Sequence, residues 1–437
     1  MTASRDTGPS KSAAGQGSRH PSKGRAPKRP PRTERLGVVE IFAGIGCVAQ
    51  GFERAGRFKT LVLTDIDKDA RDTYVENFPN GARYLRRDIE WLRPRDILAA
   101  ADGHPIVGLL GCAPCQGFSA AGQRDPDDER NRLLRHYFRL VKSLEPKFLV
   151  MENVPRILEY ELFQAMLQEI RKKYQVWVGV LNAALFGVPQ TRQRAIVIGY
   201  HRDLGVAPTA PQPTHLGRRR VFEYTTRRFV RPTTPLGARL LGLYPEVGKP
   251  EEFWASQLQS LARRAERLRN LVVVRDALGD LPAAAEDDHP VPCRGNASEY
   301  AQGLRNSEIR NHRRWRHRSD FVRRLRVVEE GSGLLDKKYG RSKDRPYFSQ
   351  AYTRLHRRGL ARTITTNFHN AGSGRFLHYN ELRTLTVREA ARLQGIEDAF
   401  TFIGFSSTQE RLVGNAFPVP LAEAIARHIG SEIGSVT

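Results

Sequence analysis

Residues 36–56 read "LGVVEIFAGIGCVAQGFERAG", and their reading decides the fold. The stretch opens on a short apolar run, "LGVVEIFA", as a buried strand does. It then places Gly44 and Gly46 in a turn before a helix, where a missing Cβ lets the backbone approach a ligand closely. Taken alone, a G-x-G of this length serves an ordinary tight strand-to-helix turn equally well.

Working outward, the same alternation returns. Short apolar runs "FKTLVLTD", "PIVGLLG", "PKFLVMENV", "QVWVGVLNA" and "RAIVIGY" are separated by helix-like stretches such as "RNRLLRHYFRLVKSL" and "ELFQAMLQEIRKKY". Buried strands alternating with helices predict an α/β fold with a parallel, doubly wound sheet, whose sites lie at the carboxyl ends of the strands. Before this region, residues 1–35 carry nine basic residues against Asp6 and Glu34 and almost nothing that could form a core. They read as a disordered basic tail, suited both to solubility and to non-specific attraction to phosphates. After about residue 200 the alternation fails. Prolines scatter, and arginines interleave with aromatics in "GRRRVFEYTTRRFVRP" and "NHRRWRHRSDFVRRLR", which predicts a second, irregular, basic domain.

The 437 residues hold 71 Lys plus Arg against 47 Asp plus Glu, a formal charge of +24. Such an excess favours a polyanionic partner, because each neutralised phosphate releases condensed counterions. Four cysteines, at 47, 112, 115 and 293, are too few for a disulfide framework. The N-terminus has no apolar signal core, and no apolar run reaches the roughly 18 residues of a membrane span. The expected compartment is the reducing cytoplasm.

Strand ends carry the chemistry. "LVLTD" ends at Asp65, 21 residues after Gly44, where a nucleotide-type fold uses an acid to hold ribose hydroxyls, and Asp88 sits where a third strand would end. These signals favour an adenosine-containing cofactor and still leave a dehydrogenase open. The fourth strand end, "GLLGCAPCQGFS", and the fifth, "FLVMENVP", put a cysteine and Glu152 at one sheet edge, and "GVPQTRQRAIVIG" adds Gln190, Arg192 and Arg194. A thiol, a carboxyl group and guanidinium donors can converge there on one heteroaromatic ring. Cys112 and Cys115 also make a C-x-x-C pair, the spacing of dithiol redox enzymes and of half a zinc site. No thioredoxin-like strand order surrounds the pair, and Cys47 and Cys293 supply no second C-x-x-C, so no metal is expected.

In order along the chain, "FAGIG", "PCQ", "ENV", "QTRQR", "RTLTVREAARLQG" and "GNAFPVP" resemble the motifs of the cytosine-C5 DNA methyltransferases. The similarity covers residues 38–200 and about 350–427, with a variable region between, as that family has. It implies a doubly wound, Rossmann-like, S-adenosylmethionine-dependent methyltransferase domain over residues 36–200 and 408–437. A smaller, irregular target-recognition domain over 201–407, including the 383–395 motif, would complete the chain. By the same resemblance Cys115 adds to C6 of cytosine, Glu152 bonds N3 and the exocyclic amine, and Arg194, with Arg192, binds O2. Phe42 would stack on the adenine, Gly44 and Gly46 approach the methionine part, Asp65 hold the ribose and Asp88 the adenine amine. Ile66, Ile89, Pro114 and Asn415 would complete the cofactor pocket.

Ser119 and Gln123, in "SAAGQRDPDDERN", resemble the family's mobile DNA-closing loop, and Gln190 is placed with them as a DNA contact. The target base must leave the duplex for a thiol to reach C6. The implied partner is double-stranded DNA, bound by a monomer that associates with the nucleoid; the enzyme is expected either to belong to a restriction-modification system, with a restriction endonuclease as functional partner without required contact, or to act as a solitary epigenetic methylase. One branch of the family methylates tRNA, and that substrate is the competing expectation. Cys47 stands where many members have glycine, and Cys112 where a small residue is usual.

Overall fold

Val38, Val39 and Ile41 are fully buried, as are Val62, Leu63, Leu109, Leu110 and Leu149. A sheet with such strands must be covered on both faces. A computed structural model of the chain describes residues 35–113, 130–215, 268–292, 295–333 and 351–434, and shows how this is done. The tail expected over 1–35 falls outside the described residues except for Arg35.

Strands β1 (Leu36–Ile41), β2 (Phe58–Asp65), β3 (Arg83–Arg86), β4 (Ile106–Cys112), β5 (Phe148–Asn153), β6 (Tyr174–Asn182) and β8 (Gln193–His201) form one sheet in the order β3-β2-β1-β4-β5-β8-β6. β8 runs antiparallel to both its neighbours, and the other pairings are parallel. Helices α1 (Cys47–Arg54), α2 (Lys68–Asn77), α3 (Pro94–Ala100), α4 (Arg130–Leu144) and α5 (Glu161–Arg171) connect them. The chain steps one way from β1 to β3 and the other way from β1 to β4, so a crevice opens at the carboxyl ends of β1 and β4. This is the doubly wound α/β sheet the sequence predicts, with β8 inserted antiparallel.

One face is closed by the end of the chain. Helix α11 (Val419–Ile433) lays Leu421, Ala422, Ile425, Ala426, Ile429 and Ile433 against Phe52 of α1 and Phe58 of β2. Burying each large aliphatic there contributes about 1.5–3 kcal/mol. Gly51 sets the approach of the two helices, since a Cβ on it would lie 2.4 Å from the Ala422 Cβ.

From Gln190 onward, β8 and α11 apart, the described residues carry only short helices and strands. They are β7 (Gln190–Thr191), α6 (Val274–Leu278), β9 (Val291–Pro292), α7 (Glu299–Gln302), β10 (Glu308–Ile309), α8 (Ser319–Leu325), β11 (Ala361–Arg362), α9 (Val387–Leu393) and α10 (Ser406–Asn415). Leu278, Leu355, Ile364, Phe368, Leu393 and Phe402 build a core here that also takes in Ile45 and Cys47. Every residue of α9 is buried, including Arg388, Glu389 and Arg392. Thr386 caps the helix in a reciprocal box: its hydroxyl accepts from Glu389 N (3.1 Å), and the Glu389 carboxylate accepts from Thr386 N (2.8 Å). Among the described residues no helix is long and apolar enough to cross a membrane.

Candidate active site

The turn after β1 is built under strain. Phe42 has φ 57, in the left-handed region that a non-glycine residue enters at a cost of about 1–3 kcal/mol. Gly44 (φ 52) and Gly46 (φ 75) continue the bend. A Cβ on Gly46 would meet the Tyr74 ring at 2.9 Å, whereas one on Gly44 would meet nothing within 4 Å, so the backbone there borders open space. Asp65, at the end of β2, holds the turn: its Oδ2 accepts from Gly44 N at 2.8 Å and its Oδ1 from Asp67 N at 2.9 Å. Burial pushes the Asp65 carboxyl above its ordinary pKa, and those two N–H donors pull it back. From β3, the Tyr84 hydroxyl donates to Gly44 O at 2.7 Å. Behind the turn Glu40 is almost wholly buried; its Oε2 accepts from Ala49 N at 2.8 Å, and burial pushes its pKa up to about 8.

The remaining residues expected at the cofactor differ in setting. Ile66, beside Asp65, is 61% exposed, which leaves an apolar side chain at the crevice. Asp88 is half-buried, and its Oδ1 accepts from Glu90 N at 2.9 Å, closing a turn two residues past β3. Ile89 is packed in the main core. Asn415 is exposed at the last position of α10.

The second half of the site lies where β4, β5 and β8 meet. Cys112 and Glu152 are register partners, as are Asn153 and Ala195 across the antiparallel pair. This register places Arg194, near the start of β8, at the edge where β5 ends. Its Nε lies 2.5 Å from Glu152 Oε1, with both side chains largely buried. The Arg194 Nη1 donates to Gln193 O at 2.7 Å, which fixes the guanidinium plane further. Asn153 donates from Nδ2 to Ala113 O at 3.0 Å and so ties β5 to the last described residue before Pro114. Phe417 of "GNAFPVP" and Glu152 line one small apolar cavity together with Cys112, Val150 and Ile196. Pro114, Cys115, Ser119 and Gln123 lie outside the described residues.

Two expected site residues sit elsewhere. Gln190 is wholly buried: its Nε2 donates to Leu393 O (2.9 Å) and Gln394 Oε1 (3.0 Å), and its Oε1 accepts from Ile364 N (2.8 Å). With its amide committed to the protein interior, this side chain is not on a DNA-facing surface. Arg192 is also buried and donates to Ile364 O (2.9 Å) and Gly414 O (3.4 Å). Lying between β7 and β8, it ties this part of the chain to the residue before Asn415. Sequence reasoning did not single out Tyr84, Asn153 or Phe417. The last two had a signal, since they lie inside "ENV" and "GNAFPVP".

Burial, reinforced by the neighbouring Glu152 carboxylate, holds the Cys112 thiol well above its ordinary pKa. A thiol held in the protonated form is a poor nucleophile and a poor redox partner. Cys112→Ser is therefore expected to keep activity within a few-fold of wild type, with and without reductant. Inactivity equal to that of Cys115→Ala in a folded protein would show that both thiols are needed.

The pattern of the family described as C-5 cytosine-specific DNA methylase matches residues 36–431. The chain is 31% identical over 403 residues to the Type II methyltransferase M1.HphI of Haemophilus parahaemolyticus, covering 90% of this chain and 86% of that one. It is 28% identical over 420 residues to the Type II methyltransferase M.DdeI of Desulfomicrobium norvegicum, covering 90% and 88%. Among solved structures, a prophage-encoded E. coli protein assigned as a DNA modification methyltransferase superposes with a TM-score of 0.66 at 23% identity, over 91% of this chain and 99% of that one. The Dnmt2 methyltransferase of S. pombe superposes with a TM-score of 0.53 at 16% identity, over 92% and 100%. At those identities the two structures speak for the fold, and the sequence matches carry the assignment: the chain belongs to the C-5 cytosine-specific DNA methylase family and is a DNA (cytosine-5-)-methyltransferase.

Proposed function

We propose that this enzyme methylates C5 of a cytosine flipped out of a specific duplex DNA sequence, through a covalent Cys115–C6 adduct, as the modification member of a Type II restriction-modification pair. The observation that carries the reading is the Glu152–Arg194 pair, set at the same sheet edge as the end of β4, three residues before Cys115.

The crevice fits S-adenosylmethionine on its own features: open space over Gly44, the exposed apolar Ile66, and the carboxylates of Asp65 and Asp88. Phe42 and Ile66 would hold the adenine, Asp65 the ribose, Asp88 the adenine amine, and Gly44, Gly46, Pro114 and Asn415 the amino-acid portion. Ile89, buried beneath, supports Asp88 from the core. Bound there, the donor supplies an electrophilic methyl group.

The chain's own groups prepare the base. The Cys115 thiolate gives an electron pair to C6, forming the S–C6 bond and leaving enamine character at C5. Glu152 makes C6 electrophilic by bonding N3 and the exocyclic amine, and Arg194 bonds O2 while orienting Glu152. Once C5 is methylated, loss of the C5 proton returns an electron pair to the ring, and the S–C6 bond breaks to regenerate the thiolate. Arg192 acts at one remove, by holding the segment just before β8 against Gly414. Ser119 and Gln123 would contact the DNA backbone.

In this reading residues 36–200 and 408–437 catalyse and 201–407 select the target, in a monomer working on cytoplasmic DNA. Expression in a host free of cytosine methylation is expected to leave 5-methylcytosine at one short recurring sequence. Methyl transfer to tRNA and none to duplex DNA would overturn the reading.

A further inference from the structure

Helix α10 is clamped to the donor edge by a side chain outside the site described so far. Arg411, one turn before Asn415, directs Nη1 to Asp67 Oδ2, while its Nη2 reaches Asp69 Oδ2 at 3.0 Å and Asp67 Oδ1 at 3.4 Å. Asp67 is the N-cap of α2, accepting from Asp69 N (2.9 Å) and Ala70 N (3.3 Å). Its own N–H donates to Asp65 Oδ1 at 2.9 Å, and the other Asp65 oxygen accepts from Gly44 N at 2.8 Å. A continuous polar chain thus runs from Arg411 through Asp67 to Asp65 and the Gly44 turn.

We propose that Arg411 is a positioning residue for methyl-donor binding, locking the Asp65–Ile66–Asp67 bend against the helix that carries Asn415; this rests on the reading of Asp65 as the ribose-binding acid. Stability alone does not account for the arrangement. The Arg411 side chain is 38% exposed and those of Asp67 and Asp69 are 24% and 46% exposed, and ion pairs in such settings stabilise little. What the pair does is geometric. It joins the turn just after β2 to a segment 344 residues away in sequence, the helix that ends at Asn415.

The other end of α2 supplies an internal control. Asn77 exchanges two 2.7 Å hydrogen bonds with Thr401, from Nδ2 to Thr401 O and from Thr401 N to Oδ1. This contact also ties α2 to the C-terminal region, yet it lies a full helix away from Asp65.

The test is calorimetric binding of S-adenosylhomocysteine and S-adenosylmethionine to the full chain without DNA, alongside thermal melting. Arg411→Met and Asp67→Asn are each expected to raise Kd for both ligands about tenfold, with the double variant no worse than either single one. Asparagine keeps the helix cap, so Asp67→Asn removes only the charge pair. Arg411→Lys should fall between, and kcat at saturating donor should stay unchanged. Asn77→Ala should lower the melting temperature without moving Kd.

Unchanged Kd in Arg411→Met, with binding lost in Asp65→Ala, would overturn the inference. So would tighter binding of the cationic donor alone, because that is the signature of a purely electrostatic role. Normal binding in Asp65→Ala would instead overturn the reading of the donor site, and the inference with it. Should Arg411→Met fail to fold, Asp67→Asn and Arg411→Lys carry the same comparison.

Discussion

A Cys115→Ala protein is expected to lose methyl transfer by at least about 10⁴-fold while binding S-adenosylhomocysteine within a few-fold of wild type. Cytosine C5 is a poor carbon nucleophile, and only addition of sulfur at C6 gives it enamine character; alanine offers no substitute atom. An unperturbed cysteine is roughly 3% thiolate at pH 7, so full ionisation gains only about 30-fold. The rest of the barrier must fall through positioning and through Glu152 and Arg194, which are held together from two strands. Those groups remain in the variant, which is why donor binding should survive. Duplex DNA with 5-fluorocytosine at the target should trap the wild-type protein covalently, since after methylation C5 has no proton to lose and the S–C6 bond cannot break. An active wild-type enzyme that forms no such adduct would remove Cys115 as the nucleophile.

The parts of this site that could be read from sequence are the parts determined locally. An apolar run followed by Gly44 and Gly46 defines its own turn, and Asp65 and Glu152 are legible because each lies at the carboxyl end of a parallel strand, Asp65 last in β2 and Glu152 next to last in β5. Nearness to Arg194 in sequence suggests the same edge for Gln190 and Arg192. Their actual orientation is set by partners far along the chain: Gln190 by Leu393 and Gln394, Arg192 by Ile364 and Gly414. A buried amide or guanidinium must find acceptors wherever the fold supplies them, and no local spacing encodes that. Arg411 was invisible for the same reason, its aspartate partners being more than 340 residues away. In "RTLTVREAARLQG" the motif itself says nothing of burial, and Arg388 and Arg392 are fully buried because the fold supplies their acceptors from outside the motif.

Arg392→Met is expected to cost about 3–5 kcal/mol of stability, a large part of the 5–15 kcal/mol that holds a typical domain. Arg392 has no exposed surface and bridges two acids. Its Nε and Nη2 reach the two oxygens of Asp398 at 2.9 and 2.6 Å, while Nη1 and Nη2 reach Asp280, and Nη1 also donates to Ala277 O at 2.9 Å. Asp280 and Asp398 are 3% and 2% exposed, so methionine fills the volume and leaves two carboxylates with little water. Arg388 cannot take over the role, since its Nη1 is 3.9 Å from Asp398 and its own donors go to Arg310 O, Glu397 O and Phe400 O. Lysine would fail as well, because one ammonium cannot span both acids. Urea denaturation measures the loss, and adding Asp280→Asn and Asp398→Asn should recover part of it if uncompensated charge is the cause. A loss below about 1 kcal/mol would show that this bridge does not hold the second core, and a large loss with no recovery in the triple variant would show that uncompensated charge is not its cause. The damage should reach the donor site before the sheet. Arg392 sits on α9 two residues before Gln394, whose Nε2 holds Val413 O and Ala416 O on either side of Asn415. If Asn415 contacts the donor as proposed, then at denaturant concentrations where β1–β5 remain folded the Arg392→Met protein should already bind S-adenosylhomocysteine less tightly, because the end of α10 has lost the Gln394 anchor on either side of Asn415.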